Sequence, residues 1–293
     1  MSVNEWTRLS SCMVELAAGL SSEALEAIAE LERRVIEADG GRLKLEWGTL
    51  GRRSGDRVED LLWWESGRLL GFLGFYGFES SPELAGMVAP DARRRGIGSA
   101  LLDAALSLCR DRGDPPPLLI VPRHSQAGKR LALRRGGVLD HSEHALVLSG
   151  EPTSRADDQP VRLRPATAAD LPLIARLLEQ GFGWRAPDDL ADRLDSPRER
   201  TAIVELDSSA VGTIRLSRDE RGGAIHGFVI EPSLRGRGIG RAALGHACEQ
   251  LRAEGAQQIG LEVDVENDHA LGLYTSVGFT PVITEDYFTL PVV

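Results

Sequence analysis

The sequence predicts an α/β fold, α+β in layout with a mixed sheet, built twice in tandem. Three observations predict it. At 293 residues the chain is long enough for about two ordinary domains. One glycine–arginine signature occurs twice, 142 residues apart, at Arg93 and again at Arg235. At both copies, strand-like alternation gives way to helical periodicity directly after the glycines.

The second copy reads Val229-Ile230-Glu-Pro-Ser-Leu-Arg235-Gly236-Arg237-Gly238-Ile239-Gly240-Arg241, and the first reads Met87-Val88-Ala-Pro-Asp-Ala-Arg93-Arg-Arg95-Gly96-Ile-Gly98-Ser99. The register persists downstream without a gap: Ala100 faces Ala242, Leu102 faces Leu244, Arg110 faces Arg252 and Gly136 faces Gly278. Matches that hold register so far indicate a duplicated domain. The period is far above the roughly 20–50 residues of stacked repeats.

The elements follow in order. Ser21 or Ser22 caps a helix to about Glu37, with Leu25, Ile28, Leu31 and Val35 on its buried face. A longer polar connection, 42–60, surrounds Trp47. Leu61–Trp64, Leu69–Phe78 and Glu83–Val88 read as strands, the middle one aromatic at alternate positions as a sheet core or a pocket wall would be. Ser149–Pro160 is polar and proline-bounded, which sets domains at 1–150 and 161–293 with a linker at 151–160. In the second domain Val161–Pro165 alternates as a strand, and Thr167 precedes a helix through Glu179. Pro187–Leu194 is a short helix, and Thr201–Leu206, Val211–Leu216 and Ala224–Ile230 are strands. Then come a helix over Gly238–Ala253, a strand over Ile259–Val265 and a helix over Ala270–Ser276. Strands near Pro281–Ile283 and Tyr287–Leu290 close the domain.

Composition narrows the function classes. Net charge is −10, against a nucleic-acid binder and mildly congenial to a cationic substrate. No apolar stretch nears the roughly 20 residues of a membrane span, and Met1–Glu15 is too polar for a signal peptide. Cys12, Cys109 and Cys248 lack metal-like spacing, so neither a metal site nor a disulfide framework is expected, and a reducing compartment fits. A soluble, cytoplasmic protein is expected. Lys44 and Lys129 are the only lysines among many arginines, which suggests a GC-rich bacterial genome.

The glycine loop has a physical reading of its own. Backbone N–H groups from Arg237 to Arg241 open a helix, whose N-terminus carries a partial charge of roughly +0.5 and suits a phosphate. Gly236, Gly238 and Gly240 let that backbone approach closely, and Arg235 and Arg241 add charge-assisted bonds. A Rossmann-type turn is the alternative, but the flanking arginines and the Val-Ile-Glu-Pro lead-in do not belong to it.

Arg235-Gly-Arg-Gly238-Ile-Gly240 resembles the Arg-x-x-Gly-x-Gly/Ala loop of the GNAT acetyltransferase superfamily. Glu266-Asn267-Asp-His-Ala270-Leu-Gly-Leu-Tyr274-Thr-Ser-Val-Gly278-Phe279 is similar to that family's Asn…Ala…Tyr…Gly-Phe segment. Two such domains resemble tandem GNAT proteins. The resemblance implies two acyl-CoA N-acyltransferase folds with acetyl-CoA as cosubstrate and no metal. It implies that Phe228, Val229 and Ile230 pair with the pantetheine arm, that Asn267 lies near that arm, and that Tyr274 stands by the thioester sulfur as general acid. In a member of that family a histidine assigned as base occupies the strand position of His226. Alternation places Ala224, His226, Phe228 and Ile230 on one face, and an imidazole pKa of about 6.5 suits a base. Glu262 and Asp264 share a face of the next strand and are candidates for holding a cationic amine, small-molecule or peptide.

The first loop, with Val88, Arg93, Arg95, Gly96 and Gly98, is intact, and three readings stand: the first domain binds CoA without turnover, serves as a scaffold shaping the second domain's substrate pocket, or uses an unrelated acid. The first domain's second signature is not intact. Ala132 stands for Tyr274, Ser125 for Asn267, Gly128 for Ala270 and Gly137 for Phe279. A degenerate first domain is therefore expected, with Tyr76, Glu79, Glu83, Ser142, Glu143 and His144 as polar candidates for any site of its own. The expected protein is a monomeric N-acetyltransferase working by direct transfer in the second domain. The alternatives are a non-catalytic acyl-CoA-sensing module and a transferase for a longer acyl-CoA.

Overall fold

The computed structural model describes residues 5–9, 12–77, 81–153, 160–183, 190–194, 199–219 and 222–292. In chain order the elements are β1 (Glu5–Leu9), β2 (Cys12–Ala17), α1 (Ser22–Asp39), α2 (Trp47–Leu50), β3 (Asp60–Glu65), β4 (Arg68–Tyr76), β5 (Glu83–Val88), α3 (Ile97–Arg112), β6 (Leu118–Pro122), α4 (Gln126–Arg134) and β7 (Val138–Leu148). After them come β8 (Val161–Pro165), α5 (Leu171–Phe182), α6 (Leu190–Leu194), β9 (Glu199–Leu206), β10 (Ser209–Arg218), β11 (Gly223–Ile230), α7 (Ile239–Ala253), β12 (Ile259–Asp264), α8 (Asp268–Val277) and β13 (Thr280–Thr289).

Local chemistry explains the helix starts. Ser21 Oγ accepts from Ala24 N at 3.1 Å, and Thr167 and Asp170 form a reciprocal capping box ahead of α5. Three of the four apolar residues expected on the buried face of α1, Ile28, Leu31 and Val35, are buried in the first core. The N-terminal hairpin of β1 and β2 was not expected, because its polar sequence carries no clean alternation. The two expected closing strands are one, β13. Phe78 and 187–189, parts of two expected elements, lie outside the described residues.

The chain divides into two compact units, Met1–Ser142 with Ile283–Val293, and Glu143–Val282. This departs from the boundary read at 150–160. In the first unit the strand order is β1-β2-β3-β4-β5-β6-β13, and in the second it is β7-β12-β11-β10-β9-β8. The last strand of each is exchanged. Glu285–Thr289 pairs antiparallel with Pro122–Leu118, and Glu143–Leu148 pairs antiparallel with Asp264–Ile259. Tyr287, Phe288 and Leu290 consequently belong to the first core, and Leu146 and Leu148 to the second. Polar groups reinforce the exchange: Asp286 Oδ1 accepts from Ser142 Oγ at 2.8 Å and from Arg123 Nε at 2.8 Å.

The first unit also buries an ion pair. Arg53, 2% exposed at its side chain, donates to both oxygens of the fully buried Asp60, at 2.9 and 3.0 Å, and to Phe75 O at 2.7 Å. Burial pushes the Asp60 carboxyl up to about 6, against the pull of Arg53. A buried charge stripped of its partner is expensive, so Arg53→Met is expected to cost about 3–5 kcal/mol at pH 7. A carboxyl whose folded pKa is raised favours the folded state at low pH and loses that contribution as pH rises through about 6. The cost should therefore shrink at pH 5, where the orphaned carboxyl holds a proton. Urea unfolding at the two pH values checks this; an equal cost at both would mean that Asp60 does not titrate in that window.

Candidate active site

Each unit carries a parallel pair of strands that separates. β5 and β6 pair only at Glu83↔Leu118 and Leu84↔Leu119. β11 and β12 pair only at Gly223↔Ile259 and Ala224↔Gly260. Beyond those pairs the strands carry open backbone groups, which an extended ligand arm can engage. The glycine loop stands at the mouth of each opening.

The loops match in detail. Gly238, the N-cap of α7, has φ 83°, and Gly96, the N-cap of α3, has φ 89°. Gly236 has φ 77°, and its counterpart Arg94 accepts the same left-handed region at φ 65°. Each helix then presents first-turn N–H groups that have no partner within it. Arg235 Nε donates to Ile230 O at 3.1 Å and Arg93 Nε to Val88 O at 3.2 Å. These arginines therefore brace the strand end, and Arg93 also grips Asp39 at 2.8 and 2.6 Å.

In the first unit the opening is a cleft of about 660 Å³ that runs from the Gly96 turn along Gly86, Met87 and Val88 to Leu119 and Ile120. Arg42, Arg93, Arg94, Arg130 and Arg134 line it. An apolar trough that carries guanidinium groups in its wall and opens on helix N–H donors fits the arm and phosphates of an acyl-CoA. Arg95, expected in the loop's binding set, pairs instead with Glu65 at 2.7 Å and is not part of the cleft wall. Arg130 and Arg134, one helical turn apart on α4, were missed; the i, i+4 spacing of two basic residues was the available signal.

The second unit differs where the chemistry would occur. The register of β11 on β10 steps from Arg215↔His226 to Thr213↔Val229, so Gly227 and Phe228 together stand opposite Ile214. This is a β-bulge, with Gly227 at φ 54°. It overturns the expected grouping of His226 with Phe228 and Ile230, because one extra residue reverses the alternation. Ile225 and Ile230 belong to the core under α7, with Phe228 packed against it, whereas Val229 belongs to the core under α5. His226 shares the Val229 face and is exposed, its Nε2 2.9 Å from Ser217 Oγ. On β12, Ile259, Leu261 and Val263 are buried beneath α7 and α8. Glu262 and Asp264 therefore share the opposite face, as expected. His226 and Glu262 each lie two residues past the last pair, Ala224↔Gly260, both on the α5 face where the strands part. The bulge equally explains the repeat: the two units are offset by 142 residues after it and by 141 before it, as Gly71↔Val88 and Tyr76↔Glu83 against Gly212↔Ile230 and Ser217↔Ala224 show.

Tyr274 is 8% exposed on α8 and packs edge-on against Phe279, ring centroids 6.2 Å apart. Burial pushes its hydroxyl up to about 12, so it stays protonated throughout the neutral range. Asn267 caps α8, its Oδ1 accepting from Ala270 N at 3.0 Å, and Ser125 caps α4 in the same way toward Gly128 N at 3.2 Å. The Asn-to-Ser difference thus keeps the helix start. Ala132, fully buried, occupies the Tyr274 place in the first unit and offers no proton. Of the polar candidates for that unit, Tyr76, Glu83 and Ser142 belong to it, Glu143 and His144 belong to the second, and Glu79 lies outside the described residues.

Among the described residues no group of side chains could hold a metal ion, and no helix is long and apolar enough to cross a membrane. The thiols of Cys109 and Cys248 are buried and pushed up to about 11 and about 12 by that burial, inert as nucleophiles.

Comparison with known proteins agrees with this geometry. The acetyltransferase (GNAT) family profile matches residues 23–136 and again 171–279. A mycothiol acetyltransferase of Kytococcus sedentarius is 28% identical over 298 residues, covering 93% of this chain and 96% of that protein. One of Brachybacterium faecium is 31% identical over 235 residues, covering 71% and 67%. Among solved structures, a GCN5-related N-acetyltransferase from Sphaerobacter thermophilus superposes with TM-score 0.73 at 21% identity, covering 93% and 95% of the two chains. A tandem GNAT protein from the clavulanic acid biosynthesis pathway superposes at 0.65 and 18%, covering 95% and 97%. The doubled loop, the doubled strand opening and the doubled family match lead to one conclusion: this chain is an acyltransferase that belongs to the GNAT acetyltransferase family, with two of its domains in tandem.

Proposed function

We propose that the chain transfers an acetyl group from acetyl-CoA to a small-molecule amine by direct attack, with the chemistry in the second unit. The observation that carries this is that His226 and Glu262 lie on one face, each two residues past the last β11–β12 backbone pair, in the same unit as a buried tyrosine hydroxyl that stays protonated. The α5 face is the acceptor side. Glu262 and Asp264 attract the cationic amine, and the mycothiol acetyltransferase relatives favour a small acceptor over a protein. An amine of pKa about 10.4 costs roughly 4–5 kcal/mol to deprotonate at neutral pH, and His226, steadied by Ser217 at 2.9 Å, accepts that proton. Acetyl-CoA supplies the activated acyl group. The first-turn N–H groups of Ile239, Gly240 and Arg241 hold its phosphates, with Arg237 and Arg241 beside them, and the backbone of Phe228, Val229 and Ile230 takes the pantetheine arm. Tyr274 donates to the sulfur as it departs. The first unit, with Ala132 in the tyrosine place, binds acetyl-CoA and does not turn over external amines. We place the enzyme in the cytoplasm as a monomer.

Calorimetric titration of acetyl-CoA into the wild type, Gly96→Trp and Gly238→Trp tests the reading. A side chain at either glycine meets a left-handed backbone, φ 89° and 83°. Two sites are expected in the wild type and one in each variant, with turnover lost only in Gly238→Trp. Turnover lost instead in Gly96→Trp would move the chemistry to the first unit, and absence of binding would end the proposal.

A further inference from the structure

Next to Leu43 in the wall of the first cleft stands a lysine amine. On β4, Gly71 faces α3, since a Cβ there would meet Ile97 and Leu101. Gly74 and Tyr76 face the other side, where Arg53 covers the Tyr76 ring at 5.3 Å. The β4–β5 register carries that side to Glu83 and Ala85, the β5–β6 register to Leu118 and Ile120, and the β6–β13 register to Tyr287. Ala85 and Ile120 each lie one residue past the last backbone pair, the counterparts of His226 and Glu262 in the second unit. An arm anchored at the Gly96 turn and laid along Val88, Met87 and Gly86 runs toward Ala85. Arg42 and Leu43 line the same cleft. The next residue, Lys44, is 12% exposed at its side chain; its Nζ donates to the Tyr287 hydroxyl and lies 3.8 Å from Glu83 Oε2. Its Nζ also sits 5.0 Å from the centre of the Tyr287 ring, which His141 stacks from 4.2 Å. In the second unit, Ala145 takes the place of Tyr287, opposite Glu262.

We propose that the first unit is a self-acylating centre in which Lys44 Nζ accepts the acetyl group of acetyl-CoA bound in the first cleft. Glu83 takes one proton from the ammonium. The new C–N bond forms as the thioester C–S bond breaks, and a second Nζ proton passes through the Tyr287 hydroxyl to the departing sulfur, leaving acetyl-lysine and free CoA. An amide does not turn over, so the event happens once per chain. It neutralises Lys44 and removes its ion pair with Glu83, recording exposure to acetyl-CoA. The inference needs only that the first cleft accept acetyl-CoA, and is independent of the chemistry assigned to the second unit.

Lys129, exposed on α4, is the other lysine and serves as an internal control. The intact protein is incubated with acetyl-CoA carrying a deuterated acetyl group and mapped by peptide mass spectrometry. The expected result is labelling at Lys44 that approaches one acetyl per chain. It should be lost in Gly96→Trp, retained in Tyr274→Phe and slowed roughly 10²-fold in Tyr287→Phe. Label spread equally over Lys129 and the N-terminus, or Lys44 label formed at the wild-type rate in both Gly96→Trp and Tyr287→Phe, would mean solution chemistry and overturn the proposal. Absence of label overturns it as well. Calorimetry then distinguishes an unreactive lysine in a filled cleft from a cleft that does not take acetyl-CoA.

Discussion

Tyr274→Phe is expected to lower kcat by about 10²–10⁴ while leaving acetyl-CoA binding intact. Tyr274 is 8% exposed and its ring lies edge-on to Phe279, and a phenylalanine keeps both contacts. Stability should therefore move by no more than about 0.5 kcal/mol, because only a hydroxyl leaves the site. The chemistry is where the loss falls. A thiol has pKa about 8.5, and its anion is the poorly stabilised species on leaving. The Tyr274 hydroxyl, held up to about 12 by burial, does not ionise in the working range and is always present as a donor. Its hydrogen bond strengthens as charge builds on sulfur, so its removal is felt in kcat and little in substrate binding. Steady-state kinetics with a responsive amine, beside calorimetry, checks the division. An unchanged kcat would remove Tyr274 from the reaction, and a matching loss of binding would make it a packing residue.

Much of the fold was legible because its signals are local. A capped helix start, a glycine N-cap and strand alternation are each written within a few residues, and Ser21, Thr167, Gly238 and the β9–β11 run all fell where they were expected. The loops were legible for the same reason. What failed depended on one inserted residue or on distant pairing. Gly227 adds a single residue to β11 and reverses the alternation beyond it, so His226 changes face relative to Ile230. Nothing local marks this except a glycine in a strand, a recognised bulge signal. Arg95 follows two other arginines, and only the tertiary position of Glu65 decides which one leaves the cleft. The strand exchange was least accessible. β7 and β13 are similar closing strands, and both candidate pairings are antiparallel. The choice rests on non-local contacts, such as Leu290 against Gly137, where a Cβ would lie 2.9 Å from Leu290 Cδ2. In the second unit that sequence position is Phe279, whose own ring fills the core.

That exchange carries the largest expected effect on stability. A chain ending at Val282 should lose the first unit and keep the second. The deleted residues include Ile283, Tyr287, Phe288 and Leu290, exposed by only 8, 1, 2 and 0%. Burying such side chains is worth roughly 1.5–3 kcal/mol each, so together they supply on the order of 6–12 kcal/mol, comparable with the roughly 5–15 kcal/mol that stabilises a whole domain. The deletion also strips Ser142 and Arg123 of Asp286 and exposes the backbone edge of β6 at its five paired residues. The second unit, Glu143–Val282, keeps its own edge strand, Glu143–Leu148 on β12, and its own core. Hydrogen exchange read by mass spectrometry should therefore show α3 and β6 peptides losing protection while α7 and β12 peptides hold it. Had each domain closed itself, as the linear reading 1–150 and 161–293 implies, the pattern would invert: the second unit would open and the first would stay protected. Labelling at Lys44 should be lost in the same truncated chain together with the fold of the first unit, and turnover at the second unit should survive, because none of the residues assigned to it lies beyond Val282.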